Sequence, residues 1–111
     1  MTAATIPVRR WTLKEGAEVF PALSELAEEH GYRLLMFGSV LNKCEGDDLD
    51  LQMAPFKATE QSEVRFLAQF GGVLKDSRID VRRGFRRFKL LRDGRLYDFN
   101  FGGFWKPRGT T

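Results

Sequence analysis

Tyr32-Arg-Leu-Leu-Met-Phe-Gly-Ser39 and, after eight intervening residues, Asp48-Leu-Asp-Leu-Gln-Met53 are the stretches that decide the fold. The first contains a short apolar run bounded by Gly31 and Gly38, which is too brief for a helix and predicts a buried strand. In the second, polar and apolar residues alternate, and this period of two predicts a strand with one polar and one apolar face. One short connection that begins with Gly-Ser joins the two strands.

Helical spacing flanks these strands on both sides in the sequence. Thr12-Leu-Lys-Glu15 has the capping-box pattern, a hydroxyl followed by a carboxylate, and it opens an apolar-periodic segment that stops at Gly31. Pro21 lies inside this segment and predicts a kink or a restart of the helix, because proline removes one backbone hydrogen bond. Thr59 to Phe70 has the same spacing and predicts a second helix.

The last third of the chain is rich in aromatic residues. Phe85 to Leu91 and Arg95 to Phe101 form two such runs around Asp93-Gly94, and an Asp-Gly turn in this position predicts a β-hairpin. A further strand is possible near Val73 to Val81. The order of helix, two strands, helix and hairpin predicts an α+β fold of α/β-like character, with a mixed sheet and two helices packed on one face.

The length of 111 residues fits a single domain, which we expect to span the chain with residues 1–11 and 104–111 as terminal extensions. Two tryptophans, Trp11 and Trp105, lie near these ends. We expect them to act as packing anchors rather than as platforms on which bases stack.

The composition argues against a membrane-spanning protein. Hydrophobic residues make up 42% of the chain and charged residues 30%, and every apolar stretch is far shorter than the roughly 20 residues that cross a bilayer. The first residues lack a positive segment followed by an apolar run, and the lone Cys44 cannot form an internal disulfide. Together these features predict a cytoplasmic location.

Positive charge is concentrated in one segment. The formal net charge is only +3, but residues 78–95 contain seven Arg and one Lys against two Asp, a local charge of +6. Such a segment fits an anionic partner such as a nucleoside triphosphate, RNA or an acidic protein. The alternative is a solvated strand face that is rich in arginine.

Paired carboxylates occupy the polar face of the second strand. Asp48 and Asp50 lie on the same side, about 7 Å apart along the backbone, where like charges repel unless a cation lies between them. Hard divalent ions such as Mg²⁺ prefer carboxylate oxygens, so the pair is a candidate site for Mg²⁺ or Mn²⁺. The alternative is a solvated surface without a metal.

Two further elements accompany the pair. Gly38-Ser39 follows the first strand directly, where glycine lets the backbone approach a ligand and exposed amides can donate to phosphate, although an ordinary turn would look the same. Asp98 lies among the aromatic residues of the last strand. If this strand neighbours that of Asp48, three carboxylates converge, enough for two bridged metal ions; otherwise Asp98 pairs with an arginine of its own hairpin.

Taken together, these residues resemble the nucleotidyltransferase superfamily that includes DNA polymerase beta, and especially the minimal nucleotidyltransferases found as antitoxins. The resemblance extends from residue 20 to about residue 101. It implies that Gly38 and Ser39 bind the triphosphate of a nucleotide, with ATP as the first candidate, and that Asp48 and Asp50 hold Mg²⁺ or Mn²⁺. It implies that Asp98 both binds metal and helps to deprotonate the attacking hydroxyl.

The sequence also departs from the family pattern. The connection offers Lys43 and Gly46 where minimal members often have an arginine and a second glycine, and Gly46-Asp47 replaces the usual Ser-Asp before the paired aspartates. Basic residues of the hairpin could steady the triphosphate or the acceptor if the strand register turns them towards the site. The candidates are Arg83, Arg86, Arg87 and Lys89, of which we take Arg86 and Arg87, with Lys43, as nucleotide-binding residues.

Two functions follow from the resemblance. The first is transfer of a nucleoside monophosphate to a hydroxyl of a protein or nucleic acid. The second is a binding module of the same fold, with a degenerate site and a basic hairpin that contacts RNA or a protein. A metal-dependent nuclease is a third possibility, but it has no need of Gly-Ser after a strand. The sequence leaves the oligomeric state open.

Overall fold

The structure is a computed structural model, and it describes residues 8–102 of the chain. Its elements in chain order are β1 (Trp11–Thr12), α1 (Leu13–Glu29), β2 (Tyr32–Phe37), α2 (Ser39–Lys43), β3 (Glu45–Gly46), β4 (Asp48–Pro55), α3 (Ser62–Phe70), β5 (Val73–Asp80), β6 (Phe85–Arg92) and β7 (Arg95–Phe101). The expected order is confirmed, and β5 is the strand that the sequence left as a possibility. The short elements β1, α2 and β3 were not anticipated.

Helix α1 begins with the predicted capping box. The Glu15 amide donates to Thr12 Oγ1 at 3.2 Å, and the Thr12 amide donates to Glu15 Oε1 at 3.1 Å. The helix continues unbroken through the exposed Pro21, so the predicted restart does not occur. Leu23 and Ala27 on its inner side are buried.

Helix α3 begins at Ser62, three residues after the predicted start. The amide of Thr59 donates to Ser62 Oγ at 2.7 Å, and this side-chain hydrogen bond holds residues 59–62 in a turn rather than in the helix. The remainder of α3 runs to Phe70 as predicted, and the left-handed Gly71 that follows ends it.

The sheet has five strands in the order β2-β4-β7-β6-β5. Strands β4 and β7 pair in parallel, whereas the other three pairs are antiparallel, so the predicted mixed sheet is confirmed. A two-residue turn with positive φ at Asp93 (53°) and Gly94 (77°) joins β6 to β7, as the Asp-Gly signal predicted. This turn fixes the hairpin register.

The core lies on one face of the sheet, and both long helices cover it. Phe66 of α3 packs edge-on against Phe99 of β7, with ring centroids 5.0 Å apart. On the α1 side, the backbone of Gly16 packs closely against Leu49 of β4. The polar residues of β4 and β7 therefore point to the opposite face, which neither helix covers.

Trp11 anchors the N-terminal end of the domain. It is fully buried, its Nε1 donates to the Leu96 carbonyl at 2.7 Å, and its ring lies 5.0 Å from that of Tyr97. The expectation of a packing anchor is confirmed for Trp11. Trp105 and residues 104–111 lie outside the described residues.

Within residues 8–102, no helix is both long and apolar enough to cross a membrane.

Strand β5 forms one edge of the sheet, and seven of its eight residues are exposed.

Candidate functional site

The structure brings Asp48, Asp50 and Asp98 together on the face of the sheet that neither α1 nor α3 covers, which is called the uncovered face with respect to residues 8–102. Asp50 of β4 lies directly opposite Asp98 of β7 in the parallel pair, and Asp48 precedes Asp50 on the same face. One carboxylate oxygen from each residue lies within 4.8 Å of the others. Adjacent strands thus supply the three carboxylates, as the sequence hypothesis required.

Burial makes this cluster unfavourable without a cation. Asp98 is only 3% exposed, and burial raises the pKa of its carboxyl even though the guanidinium of Arg87 opposes the effect. Burial likewise raises the pKa of Asp50 to about 7, and the negative charges of Asp48 and Asp98 add to the increase. For Asp50 and Asp98, burial therefore disfavours the charged form of the carboxyl.

Gly38 packs directly against this cluster. Its φ of 82° belongs to the left-handed region that favours glycine, and a Cβ at this position would collide with Oδ2 of Asp50. Ser39 follows as the exposed first residue of the five-residue helix α2. The Gly-Ser step therefore lies beside the carboxylates because only glycine permits so close an approach to Asp50.

Two cations of β6 also reach the cluster. Lys89 Nζ lies 3.0 Å from Asp48 Oδ2, and Arg87 Nε lies 3.6 Å from Asp98 Oδ1. The hydrogen bond to Asp48 raises the pKa of Lys89. The two interpretations of Asp98 are thus both realised, since it joins the other carboxylates and also pairs with an arginine of its own hairpin.

The structure corrects the expectation for Arg86. Its side chain lies on the helix-covered face, where Nε donates to Glu63 of α3 at 2.7 Å and 3.0 Å. The reason is the strand period of two, which turns Arg86 away from Asp98 while it turns Arg87 towards it. Arg86 therefore does not join the carboxylate cluster.

Two further basic residues also lie apart from the cluster. Arg83 pairs with Asp80 of its own segment at 3.8 Å. Lys43 is exposed at the last position of α2 and forms no ion pair with any residue in the described range 8–102. Of the basic residues proposed for nucleotide binding, Arg87 is the one that the structure places against the carboxylates.

The sequence patterns did not single out Lys89 or Gln52 as residues of the site. Lys89 was one of four basic candidates, and the short Asp93-Gly94 turn could have singled it out, because that turn pairs Lys89 with Asp98. Gln52 is 5% exposed, its Nε2 donates to the Gly102 carbonyl at 3.3 Å, and its Oε1 has no donor among the described residues. The only sequence signal for Gln52 was its place on the polar face of β4.

A divalent ion fits the three carboxylates. Hard oxygen ligands are those that Mg²⁺ and Mn²⁺ prefer, and the buried Asp98 Oδ1 accepts no hydrogen bond within residues 8–102, its ion pair with Arg87 being 3.6 Å long. A buried carboxylate oxygen that lacks a donor is normally satisfied by water or by an ion. The three carboxylates thus have the chemistry of a donor set for a divalent ion.

Solved structures of similar shape were found for this chain. One is a cytoplasmic RNA terminal U-transferase, with a TM-score of 0.54 and 20% sequence identity over 79% of this chain and 28% of that one. Another is the non-canonical poly(A) polymerase complex GLD-2–GLD-3, with a TM-score of 0.53 and 16% identity over 81% of this chain and 34% of that one. The chain thus spans about a third or less of the length of these neighbours.

At this identity the likeness establishes the fold. The chain has the nucleotidyltransferase fold, a mixed α+β domain whose five-stranded sheet carries its helices on one face. No family model matches the sequence. A search among curated proteins also gave no significant match.

Proposed function

We propose that this protein is a metal-dependent nucleotidyltransferase, which transfers a nucleoside monophosphate from a nucleoside triphosphate to a hydroxyl group. The observation that carries the proposal is the convergence of Asp48, Asp50 and Asp98 within 4.8 Å, with the backbone of Gly38 against Asp50. Each of these pieces is common by itself. Their combination on the uncovered face of a nucleotidyltransferase-fold sheet supports nucleotide chemistry.

Gly38 and Ser39 are the proposed contacts for the triphosphate, with ATP as the first nucleotide to test. Arg87 lies on the same face and could donate to phosphate oxygens, whereas Lys43 would have to reach the site from the end of α2. Bound Mg²⁺ or Mn²⁺, held by the three aspartates, would offset the negative charge that develops on the phosphate oxygens.

In the proposed reaction, the acceptor hydroxyl oxygen forms a bond to the α-phosphorus, and the bond from that phosphorus to the departing pyrophosphate breaks. The hydroxyl proton passes to a carboxylate oxygen of Asp98.

The acceptor is proposed to be a hydroxyl of a protein or of RNA. The neighbours with known structures are RNA-acting enzymes by name, and one of them is in complex with a protein. The minimal nucleotidyltransferases of antitoxin type are the subgroup that the short sequence resembles most in its motifs. A cytoplasmic location is part of the same proposal.

A degenerate binding module is the second candidate, and one observation favours it. Lys89 and Arg87 place two positive charges against three carboxylates, which leaves less negative charge to attract metal ions. In such a module the basic segment would contact RNA or a protein partner, and the nucleotide would have no role.

Label transfer distinguishes the two candidates. The protein would be incubated with each α-labelled triphosphate and Mg²⁺ in a lysate of its host, and covalent label would then be sought on protein and RNA. A transferase labels an acceptor, and both Asp50→Asn and EDTA abolish the label, whereas the matched variant Glu25→Gln on the exposed side of α1 retains it. Labelling that persists in Asp50→Asn would contradict the proposal.

Binding measurements test the same site without an acceptor. Calorimetry should show nucleotide binding that needs Mg²⁺ or Mn²⁺ and weakens at least about tenfold in Asp48→Asn, the loss expected for about 1.4 kcal/mol. A binding module would instead bind RNA with an affinity that falls linearly with salt on a logarithmic scale. Equal nucleotide affinity in Asp48→Asn and the unsubstituted protein would argue against the transferase.

A further inference from the structure

Lys89 occupies a position in the carboxylate cluster that a cation would take. Its Nζ lies 3.0 Å from Asp48 Oδ2, and both side chains are mostly buried, with exposed fractions of 25% and 23%. In the sheet, Lys89 of β6 lies directly opposite Asp98 of β7, and its ammonium group reaches Asp48 on β4. This is an ion pair in the site itself rather than on the surface around it.

The hairpin holds Lys89 in this place. The Asp93-Gly94 turn sets the register of β6 against β7, so the Lys89 stem projects from the face that carries Asp98. Arg87 lies on the same face, where its guanidinium group forms ion pairs with Asp98 at 3.6 Å and with Asp76 at 3.4 Å. Of these two cations, Lys89 is the one paired with Asp48.

An ammonium group and a divalent ion compete for the same oxygens. A metal ion held by Asp48 and Asp50 would bind the same carboxylate that Lys89 now pairs with. The two positive charges would then lie within a few ångströms of each other and repel. An Mg²⁺ ion bound by Asp48 would lie about 2.0 Å from a carboxylate oxygen, and the Lys89 ammonium already lies 3.0 Å from Oδ2 of the same carboxylate. Either the ammonium moves away or the metal binds with fewer ligands.

We propose that Lys89 is a built-in counter-ion that competes with divalent metal for Asp48 and so sets the metal affinity of the site. The inference rests on the proposed function, because it takes the three aspartates as the metal site. It adds a residue of β6 that controls metal binding without being a ligand. In this view the domain folds with its own cation in place, and metal enters by displacing that cation.

The test is a titration of the protein with Mn²⁺ alone, followed by electron paramagnetic resonance or calorimetry. Lys89→Met and Lys89→Gln remove the competing charge, and each should bind Mn²⁺ about tenfold more tightly than the unsubstituted protein, equivalent to about 1.4 kcal/mol. Lys14→Met removes the same charge from the exposed side of α1, on the other side of the sheet, and should leave the affinity unchanged. Circular dichroism verifies that each variant is folded, and the more conservative Lys89→Gln keeps the test available if Lys89→Met does not fold.

Three results would overturn the inference. Equal Mn²⁺ affinity in the Lys89 variants and the unsubstituted protein would mean that the ammonium does not compete, while the metal site itself would stand. An equal gain in Lys14→Met would assign the effect to net charge. If neither the unsubstituted protein nor any variant binds Mn²⁺, the metal site of the proposed function fails together with the inference.

Discussion

The two faces of strand β4 have opposite effects on the domain. Leu49, Leu51 and Met53 point to the helices and are fully buried, whereas Asp48 and Asp50 alternate with them and point to the uncovered face. Burial of the apolar face stabilises the fold, and each such side chain contributes about 1.5 to 3 kcal/mol. The carboxylate face destabilises it when no cation is bound, because like charges lie close together in a partly buried place.

The residues of β4 that stabilise the fold therefore lie on one face of the strand, and the carboxylates proposed to bind a ligand lie on the other. A change on the apolar face should unfold the domain whatever ligand is present, whereas a change on the carboxylate face should alter binding and can stabilise the free protein. The following predictions test this separation, from the largest expected effect to the smallest.

Phe99→Ala, on the apolar face of the sheet where β7 lies beside Leu51 of β4, should have the largest effect. Phe99 is fully buried, and its ring lies 5.0 Å from that of Phe66 and 4.8 Å from that of Phe70. Removing a phenyl ring from such a core lowers the free energy of unfolding by about 3 to 5 kcal/mol, measured by urea denaturation. Val64→Ala on the exposed side of α3 is the control, and a comparable loss there would deny that the apolar face dominates stability.

Gly38→Ala should have the second-largest effect, because it affects both the stability of the backbone and the packing against the carboxylate of Asp50. The added Cβ meets Asp50 Oδ2 and the backbone is left-handed, so we expect a loss of about 2 to 3 kcal/mol in the free energy of unfolding. Gly71→Ala is a matched control, since Gly71 has a similar φ of 79° but open space around it. It should lose only about 1 kcal/mol.

The contact with Asp50 can be isolated by a double substitution. In Asp50→Ala the oxygen that the new Cβ meets is gone, so Gly38→Ala should be less damaging in that background than in the unsubstituted protein. Equal losses in both backgrounds would mean that the left-handed backbone alone requires glycine at position 38.

Asp50→Asn should stabilise the metal-free protein in a pH-dependent way. The folded-state pKa of Asp50 is raised to about 7 from an ordinary 3.8, so the folded state binds this proton more tightly than the unfolded state. The stabilising contribution is therefore present below about pH 4 and is lost as the pH rises through about 7. At pH 8 in EDTA, Asp50→Asn should be more stable than the unsubstituted protein by about 2 kcal/mol.

The same measurement at pH 4 provides the check. There the unsubstituted Asp50 is protonated, so the advantage of asparagine should nearly vanish. Glu25→Gln on α1 removes one negative charge elsewhere and should change the free energy of unfolding by no more than about 0.5 kcal/mol. A constant difference between pH 4 and pH 8 would show that the stabilisation does not arise from the Asp50 charge.

The smallest effect is expected for Arg86→Ala. Arg86 pairs with Glu63 on the helix side and its side chain is 41% exposed, so the loss should be below about 1 kcal/mol. Nucleotide affinity should stay the same, whereas Arg87→Ala on the other face should weaken it. An equal effect of the two substitutions on calorimetric nucleotide affinity would mean that the face of the sheet does not decide which arginine binds.

Much of this arrangement could be predicted from local patterns. The alternation from Asp48 to Met53 identified the strand and both of its faces, and Asp93-Gly94 identified the hairpin. The capping box located the start of α1 to the residue. Each of these signals lies within a few neighbouring residues, and local physics is enough to fix it.

The remainder depended on contacts between distant parts of the chain. The parallel pairing of β4 with β7, which places Asp50 opposite Asp98, joins strands that are far apart in sequence, and the sequence could state it only as a condition. Arg86 was grouped with Arg87 because the strand register was left open. The two-residue turn would have fixed that register, since it places Arg86 opposite the buried Phe101.

The parallel pairing of β4 with β7 has a consequence for the order of folding events. The hairpin of β6 and β7 can form from adjacent residues, whereas the pairing of β7 with β4 closes a loop of the chain that contains α3, β5 and β6. Contacts of such long sequence separation form slowly, because the loop must close before they stabilise anything. We therefore expect Asp98 to reach Asp50 late in folding, so that a chain whose β7 has not yet paired carries Asp48 and Asp50 without the third carboxylate.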